Sequence, residues 1–186
     1  MLATLVIDMQ VDFFAHERLA QRRAALVESI NELVAISRAS GAPVIWVKQE
    51  FAADLSDALP EVRRKNIRIV IAGTPGAAIL PELDVRPSDI QVIKKRYSAF
   101  HGTDLDRLLE TLCCDRLIVA GVNSHACVRT TVIDAYQRDY PVLLATDCIA
   151  SHDADHHAIS MRYMDGKLAI GMDNPALFAL LGRERH

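Results

Sequence analysis

The 186 residues are 51% apolar and 24% charged, with a formal net charge of −3. That length suits one packed domain, 1–186, and is short for two, while the lack of a basic excess argues against nucleic acid or an anionic membrane as the main partner. No apolar run reaches the length of a membrane span, and Met1 to Thr4 runs into a strand without a basic leader, so a cytoplasmic protein is expected. From Leu2 to Ile7 the chain is β-prone and apolar and ends at Asp8, an acid at the carboxyl end of a first central strand, where open α/β sheets place their ligands. Asp12, a little further on, is read as capping a turn. From about Glu17 to Ser40 the residues Leu19, Leu26, Ile30, Leu33, Val34 and Ile36 recur with helical period, and Gly41-Ala42-Pro43 stops the helix.

Val44 to Val47 reads as a second buried strand. The weakly patterned stretch 48–66 predicts a loop with a short helix lying over the crevice. Ile67 to Ala72 is either a strand or the approach to the turn Gly73-Thr74-Pro75-Gly76, which lacks the spacing of a phosphate loop. Asp89 to Ile93 predicts a strand ending at Lys94. Thr103 is placed as the cap of a helix from Asp104 to about Cys113, with Leu105, Leu108, Leu109 and Leu112 inward. Leu117 to Ala120 is an unbroken apolar run; Gly121 turns the chain, Asn123-Ser124 caps, and Cys127 opens a helix whose Val128, Val132, Ala135 and Tyr136 share a face. A strand from Tyr140 to Ala145 ending near Asp147, a helix from His152 to Tyr163, a last strand at Lys167 to Ile170 and a closing helix from Pro175 to Leu181 complete the alternation. Strands alternating with helices from end to end imply a doubly wound α/β fold with a parallel sheet.

Asp8, Lys94 and Cys127 are residues of distinct chemistry that each close or follow a strand, so a parallel sheet gathers them on one edge. A thiol in the first turn of a helix feels unpaired N–H groups and the positive end of the dipole, both favouring thiolate, and a nearby ammonium adds to this. The aspartate can take the thiol proton and return it to a leaving amine, and the same N–H groups can receive an oxyanion. Read residue by residue, Cys127 as a nucleophile and Cys127 as a small packed hydrophobe stand level. The four cysteines, at 113, 114, 127 and 148, lack CxxC spacing and the layout of a secreted disulfide framework, so reduced thiols and no structural zinc are expected.

Three segments, Val6-Ile7-Asp8-Met9-Gln10-Val11-Asp12-Phe13, Lys94-Lys95-Arg96-Tyr97-Ser98-Ala99-Phe100 with Gly102-Thr103-Asp104-Leu105, and Gly121-Val122 to Cys127-Val128, resemble in order and spacing the isochorismatase-like cysteine hydrolases. The resemblance covers nearly the whole chain. It implies a three-layer, Rossmann-like sheet of six parallel strands with helices on both faces, and a catalytic triad of Asp8, Lys94 and Cys127. Lys94 rather than Lys95 matches, because the family lysine precedes the aromatic of Tyr-Ser-Ala-Phe by three positions. It further implies a cis peptide between Val122 and Asn123, an oxyanion hole from the N–H groups of Asn123 and Cys127, no cofactor, and a homo-oligomer. Nicotinamidases of this family bind a metal through an acid and two histidines after the second strand; Lys48 to Arg64 holds no histidine, which argues against that branch and against a metal.

The expected activity is hydrolysis of a C–N bond in a small amide, carbamoyl or ureido compound through a thioester. The alternatives are isochorismatase-type vinyl ether hydrolysis and a non-catalytic ligand-binding member of the family. Phe13, Trp46, Phe51, Tyr97 and His125 are the candidate pocket walls, and Gln10 and Asn123 the candidate hydrogen-bonding groups. His152, His156 and His157 beside Asp153 and Asp155 fit no standard metal spacing and read as a solvated helix start. A dyad of His125 with Cys127 ranks below the lysine and aspartate scheme.

Overall fold

The computed structural model describes residues 1–183. β1 (Leu2–Ile7) is buried at all six positions, as an uninterrupted apolar strand must be when helices cover both faces of its sheet. It pairs in parallel with β2 (Val44–Gln49) on one side and β4 (Arg116–Gly121) on the other. β3 (Ile90–Lys94) lies beyond β2, and β5 (Val142–Ile149) and β6 (Ile170–Met172) lie beyond β4, giving the all-parallel order β3-β2-β1-β4-β5-β6. The direction of winding reverses between β1 and β4, which opens a crevice at their carboxyl ends.

Alternation along β1 divides the core. Leu2 and Val6 face α1 (Glu17–Ala39) and α6 (Asn174–Arg183), packing with Leu26, Ile30, Leu33 and Leu177. Ala3, Leu5 and Ile7 face α3 (Leu105–Thr111), α4 (Arg129–Tyr136) and α5 (Ala154–Met164), packing with Leu109, Val132 and Met164. A smaller cluster, Phe51, Leu55, Ala58, Val70, Ile71 and Ala77, anchors the segment that includes α2 (Pro60–Lys65). No helix among the described residues is long and apolar enough to cross a membrane.

Several boundaries differ from the sequence expectation. Residues 67–72 form no strand: Phe51 accepts from Ala72 and donates to Val70, a single bridge on the approach to the turn. The Thr103 hydroxyl does accept the Leu105 N–H at 3.3 Å, but α3 ends at Thr111, and Cys113 is left-handed at φ +53°. β5 runs through Asp147 to Ile149 instead of stopping before it. β6 begins at Ile170, because the N–H groups of Lys167, Leu168 and Ala169 all fold back onto the Met164 carbonyl.

Gly121 is where β1 and β4 come closest to the crevice. Its φ is +114°, and a Cβ there would lie 2.0 Å from the Ile7 carbonyl oxygen. Both facts exclude a side chain. Gly121→Ala is expected to destabilise the fold by about 3 kcal/mol or more, read as a lower urea midpoint with an unchanged slope.

Candidate active site

Asp8 follows β1 directly and turns sharply, with φ +52° and its N–H on the Val47 carbonyl at 2.8 Å. Lys94 is the last residue of β3, in register with Gln49. Its side chain is fully buried and crosses the end of β2, bringing Nζ to 2.8 Å from Asp8 Oδ2 and 3.3 Å from Cys127 Sγ. Lys95 points elsewhere and pairs with Asp57 at 2.9 Å. Cys127 lies in a wide, π-type helical turn, Ser124–Val128, which precedes α4 and follows a cis peptide between Val122 and Asn123. The Asn123 carbonyl accepts from Ala126 and Val128, while its own N–H reaches no backbone carbonyl among the described residues. The three side chains predicted to converge are therefore in mutual contact.

Their electrostatics depart from expectation on one point. Burial pushes the Cys127 thiol up, the Asp8 carboxylate adds to this, and the pull of the Lys94 ammonium is weaker than the two together. Asp8 is also raised, by burial that outweighs the ammonium, the thiol and the Gln49 N–H. Lys94 is raised as well: burial opposes its charge, but Asp8 and Cys127 more than compensate. The balance at Cys127 favours the neutral thiol, contrary to the thiolate expected from the helix start and the lysine. Burial is the first reason, and the disfavour of a second anion beside a carboxylate is the next. Proton transfer must accompany attack by this sulfur.

A pocket of about 470 Å³ opens onto Cys127. Phe13, Phe51, Tyr97, Asn123 and His125 line it, as the sequence reading expected. Gln10 does not. Its carboxamide accepts from the Gln49 N–H and donates to the carbonyls of Gln49 and Ala77, each at 2.8 Å, so every polar atom is spent on the scaffold. Trp46 does not either: it is 1% exposed in the α1-side core and gives its indole N–H to Asp89 at 2.9 Å.

The polar pocket residues His16, Gln49, Glu61 and His152 escaped the sequence reading, as did the apolar Leu59, Val62, Ile67, Ile69 and Ala126. Gln49 ends β2 and was open to the same argument as Asp8; its Nε2 is buried without a partner among the described residues, as is Asp8 Oδ1. Asp12, read as a turn cap, accepts the Val70 N–H at 2.6 Å and also faces the pocket. The start of α5 is solvated only in part. Asp153 caps the helix through His156, whereas His152 bonds Asn123 Oδ1 at 3.0 Å and His157 bonds Ser124 Oγ at 2.8 Å.

The isochorismatase domain model matches residues 3–174. An Arabidopsis thaliana protein named "probable inactive nicotinamidase" is 34% identical over 184 residues, which cover 94% of this chain and 92% of that one. The crystal structure of an isochorismatase family protein from Desulfovibrio vulgaris superposes with a TM-score of 0.87 at 32% identity, covering 98% of each chain. The N-carbamoylsarcosine amidase of Thermoplasma acidophilum superposes with a TM-score of 0.78 at 28% identity, covering 93% of this chain and 96% of that one. By domain match, sequence and fold, this chain belongs to the isochorismatase family of hydrolases.

Proposed function

We propose that this protein is a cysteine hydrolase that cleaves the C–N bond of a small amide, carbamoyl or ureido compound. The observation that carries the reading is the buried contact of Lys94 Nζ with both Asp8 and Cys127 at the foot of a pocket. The Cys127 thiol transfers its proton to Asp8 as sulfur attacks the substrate carbonyl carbon. The resulting oxyanion is received by the N–H groups of Asn123 and Cys127. Collapse breaks the C–N bond, and the proton on Asp8 goes to the leaving nitrogen. Water, deprotonated by Asp8, then attacks the thioester, releases the acid and restores the thiol. Lys94 holds the carboxylate in place and keeps a positive charge beside sulfur throughout, so the charge created during attack is countered without solvent. The amidase relative acts, by its name, on an N-carbamoyl compound, which supports the same chemistry here.

A non-catalytic role is the second reading, favoured by the relative named inactive. The test is ammonia release from a panel of small amides, carbamoyl amino acids and ureas, together with intact-mass detection of an acyl adduct on Cys127 after rapid acid quench. An active member of the panel and an adduct localised to Cys127 are expected. Turnover of a vinyl ether with no adduct, or no turnover and no adduct with any compound, would reject the reading.

A further inference from the structure

Three imidazoles, His16, His125 and His152, share the pocket with Cys127. The ring of His152 is 4.9 Å from that of His16 and 5.0 Å from that of His125, centroid to centroid. In each ring Nδ1 is committed to the scaffold. His16 Nδ1 accepts the Arg18 N–H at 3.3 Å, so a neutral His16 carries its proton on Nε2. His125 Nδ1 meets Ser151 Oγ at 2.7 Å, an oxygen that also accepts the Asp153 N–H at 3.1 Å; when the hydroxyl donates to this Nδ1, a neutral His125 carries its proton on Nε2. His152 Nδ1 faces Asn123 Oδ1, an acceptor that also takes the His152 N–H at 3.2 Å. Its Nδ1 therefore donates, and a neutral His152 has a bare Nε2. None of the three Nε2 atoms has a partner among the described residues.

We propose that these three Nε2 edges form a subsite at the pocket mouth that binds a carboxylate of the substrate, making His16, His125 and His152 specificity-determining residues. The proposal rests on the hydrolase reading and narrows it to carbamoyl or acyl derivatives of amino acids. The His16 Nε2–H donates as it stands, the His125 Nε2–H donates when Ser151 gives its proton to Nδ1, and His152, held below the usual imidazole value by burial and by His16, supplies a further donor and a positive charge when an anion draws a proton onto it. The carboxylates sharing the pocket are engaged elsewhere: Asp12 by the Val70 N–H and Glu61 by Lys65 at 2.7 Å. Asp153 is turned to His156 and the α5 N-terminus. Of the other groups that act on these rings, Arg18 acts on His152 and His156 and His157 act on His125, while Glu17 follows His16 in the chain. Among the described residues no group of three or more His, Cys, Asp or Glu is disposed to hold a metal ion. Asn123 joins this subsite to the reacting centre, since its carboxamide orients His152 while its N–H is the candidate oxyanion donor.

The test uses Cys127→Ala protein, N-carbamoylglycine and its neutral counterpart N-carbamoylglycinamide, with binding read by calorimetry in two buffers of different ionisation enthalpy. The carboxylate is expected to bind at least about tenfold more tightly, with proton uptake near neutral pH, and His16→Gln or His152→Gln in the same background should each narrow that ratio several-fold. His16 is exposed, so its variant stands even if the His152 change disturbs the turn. Equal binding of the two compounds, binding of neither, or a ratio unchanged in both variants would overturn the subsite. Turnover by the unmodified enzyme separates the two readings. Selective binding without ammonia release leaves the subsite and removes the hydrolysis; ammonia release from both compounds at equal kcat/KM does the reverse.

Discussion

Cys127→Ala is expected to lower kcat/KM on the true substrate by on the order of 10⁴-fold or more, because it removes the sulfur on which the proposed thioester forms. The protein should stay folded. Cys127 lies in the core beside α4 and α5, at 4% exposure, and loss of one sulfur from that packing is a small change next to loss of the nucleophile. Ammonia release measured beside an unfolding curve checks both statements. Undiminished hydrolysis would reject the thioester route and favour the ether-cleaving alternative, which needs no thiol. The neutral resting state of the thiol adds a second expectation for the same pair of proteins. The ultraviolet thiolate absorbance of Cys127, taken as the difference from Cys127→Ala, should be missing at neutral pH in the absence of substrate.

Lys94→Met should produce the largest loss of stability, about 3–5 kcal/mol, since it leaves a carboxylate buried without its counter-ion. Asp8 Oδ2 would lose the ammonium 2.8 Å away, and Oδ1 has no partner to begin with. The sign of the pH dependence follows. Without Lys94, the largest influence opposing the rise of the Asp8 pKa is gone, so the folded chain binds a proton still more readily than the unfolded one. The destabilisation is then greatest at high pH and is relieved as pH falls through the raised value. Asp8→Asn combined with Lys94→Met removes both charges and should recover much of the loss, a coupling that a double-mutant cycle in urea would measure. If the double variant proved no more stable than Lys94→Met alone, a buried ion pair would be the wrong description of this site.

The parts of the fold written in local pattern were readable before any coordinates. β1, β2 and β4 are covered on both faces, so their apolar runs are unbroken, and α1 carries its period over six turns. That Asp8, Lys94 and Cys127 share one edge followed from parallel strands, and their joining as a triad followed from the family resemblance. What escaped depends on contacts between distant segments. The 50–77 stretch is held by Phe51 against Val70 and Ile71, a cluster no window of sequence displays. Residue type marked Gln10 and Trp46 as candidates, but their polar atoms are consumed by Gln49, Ala77 and Asp89. The ionisation of Cys127 could not be read from its place in a helical turn, because burial and a neighbouring carboxylate outweigh the dipole and the lysine. His16 and His152 lie 136 residues apart, and only the packing of α1's start against the loop before α5 brings their rings together.

The triple hydrogen bond of the Gln10 carboxamide has a consequence for how this molecule can diversify. It rivets the exit of β1, the exit of β2 and the turn at 75–77 into one fixed platform, and the intervening residues 50–74 leave and rejoin that platform, with further ties from Val70 to Asp12 and from Asp57 to Lys95. Those residues carry Phe51, Leu59, Glu61, Val62, Ile67 and Ile69 of the pocket, while Asp8, Lys94 and Cys127 lie outside the span. New selectivity can thus be grafted as a cassette between two rivets, with the reactive machinery left undisturbed.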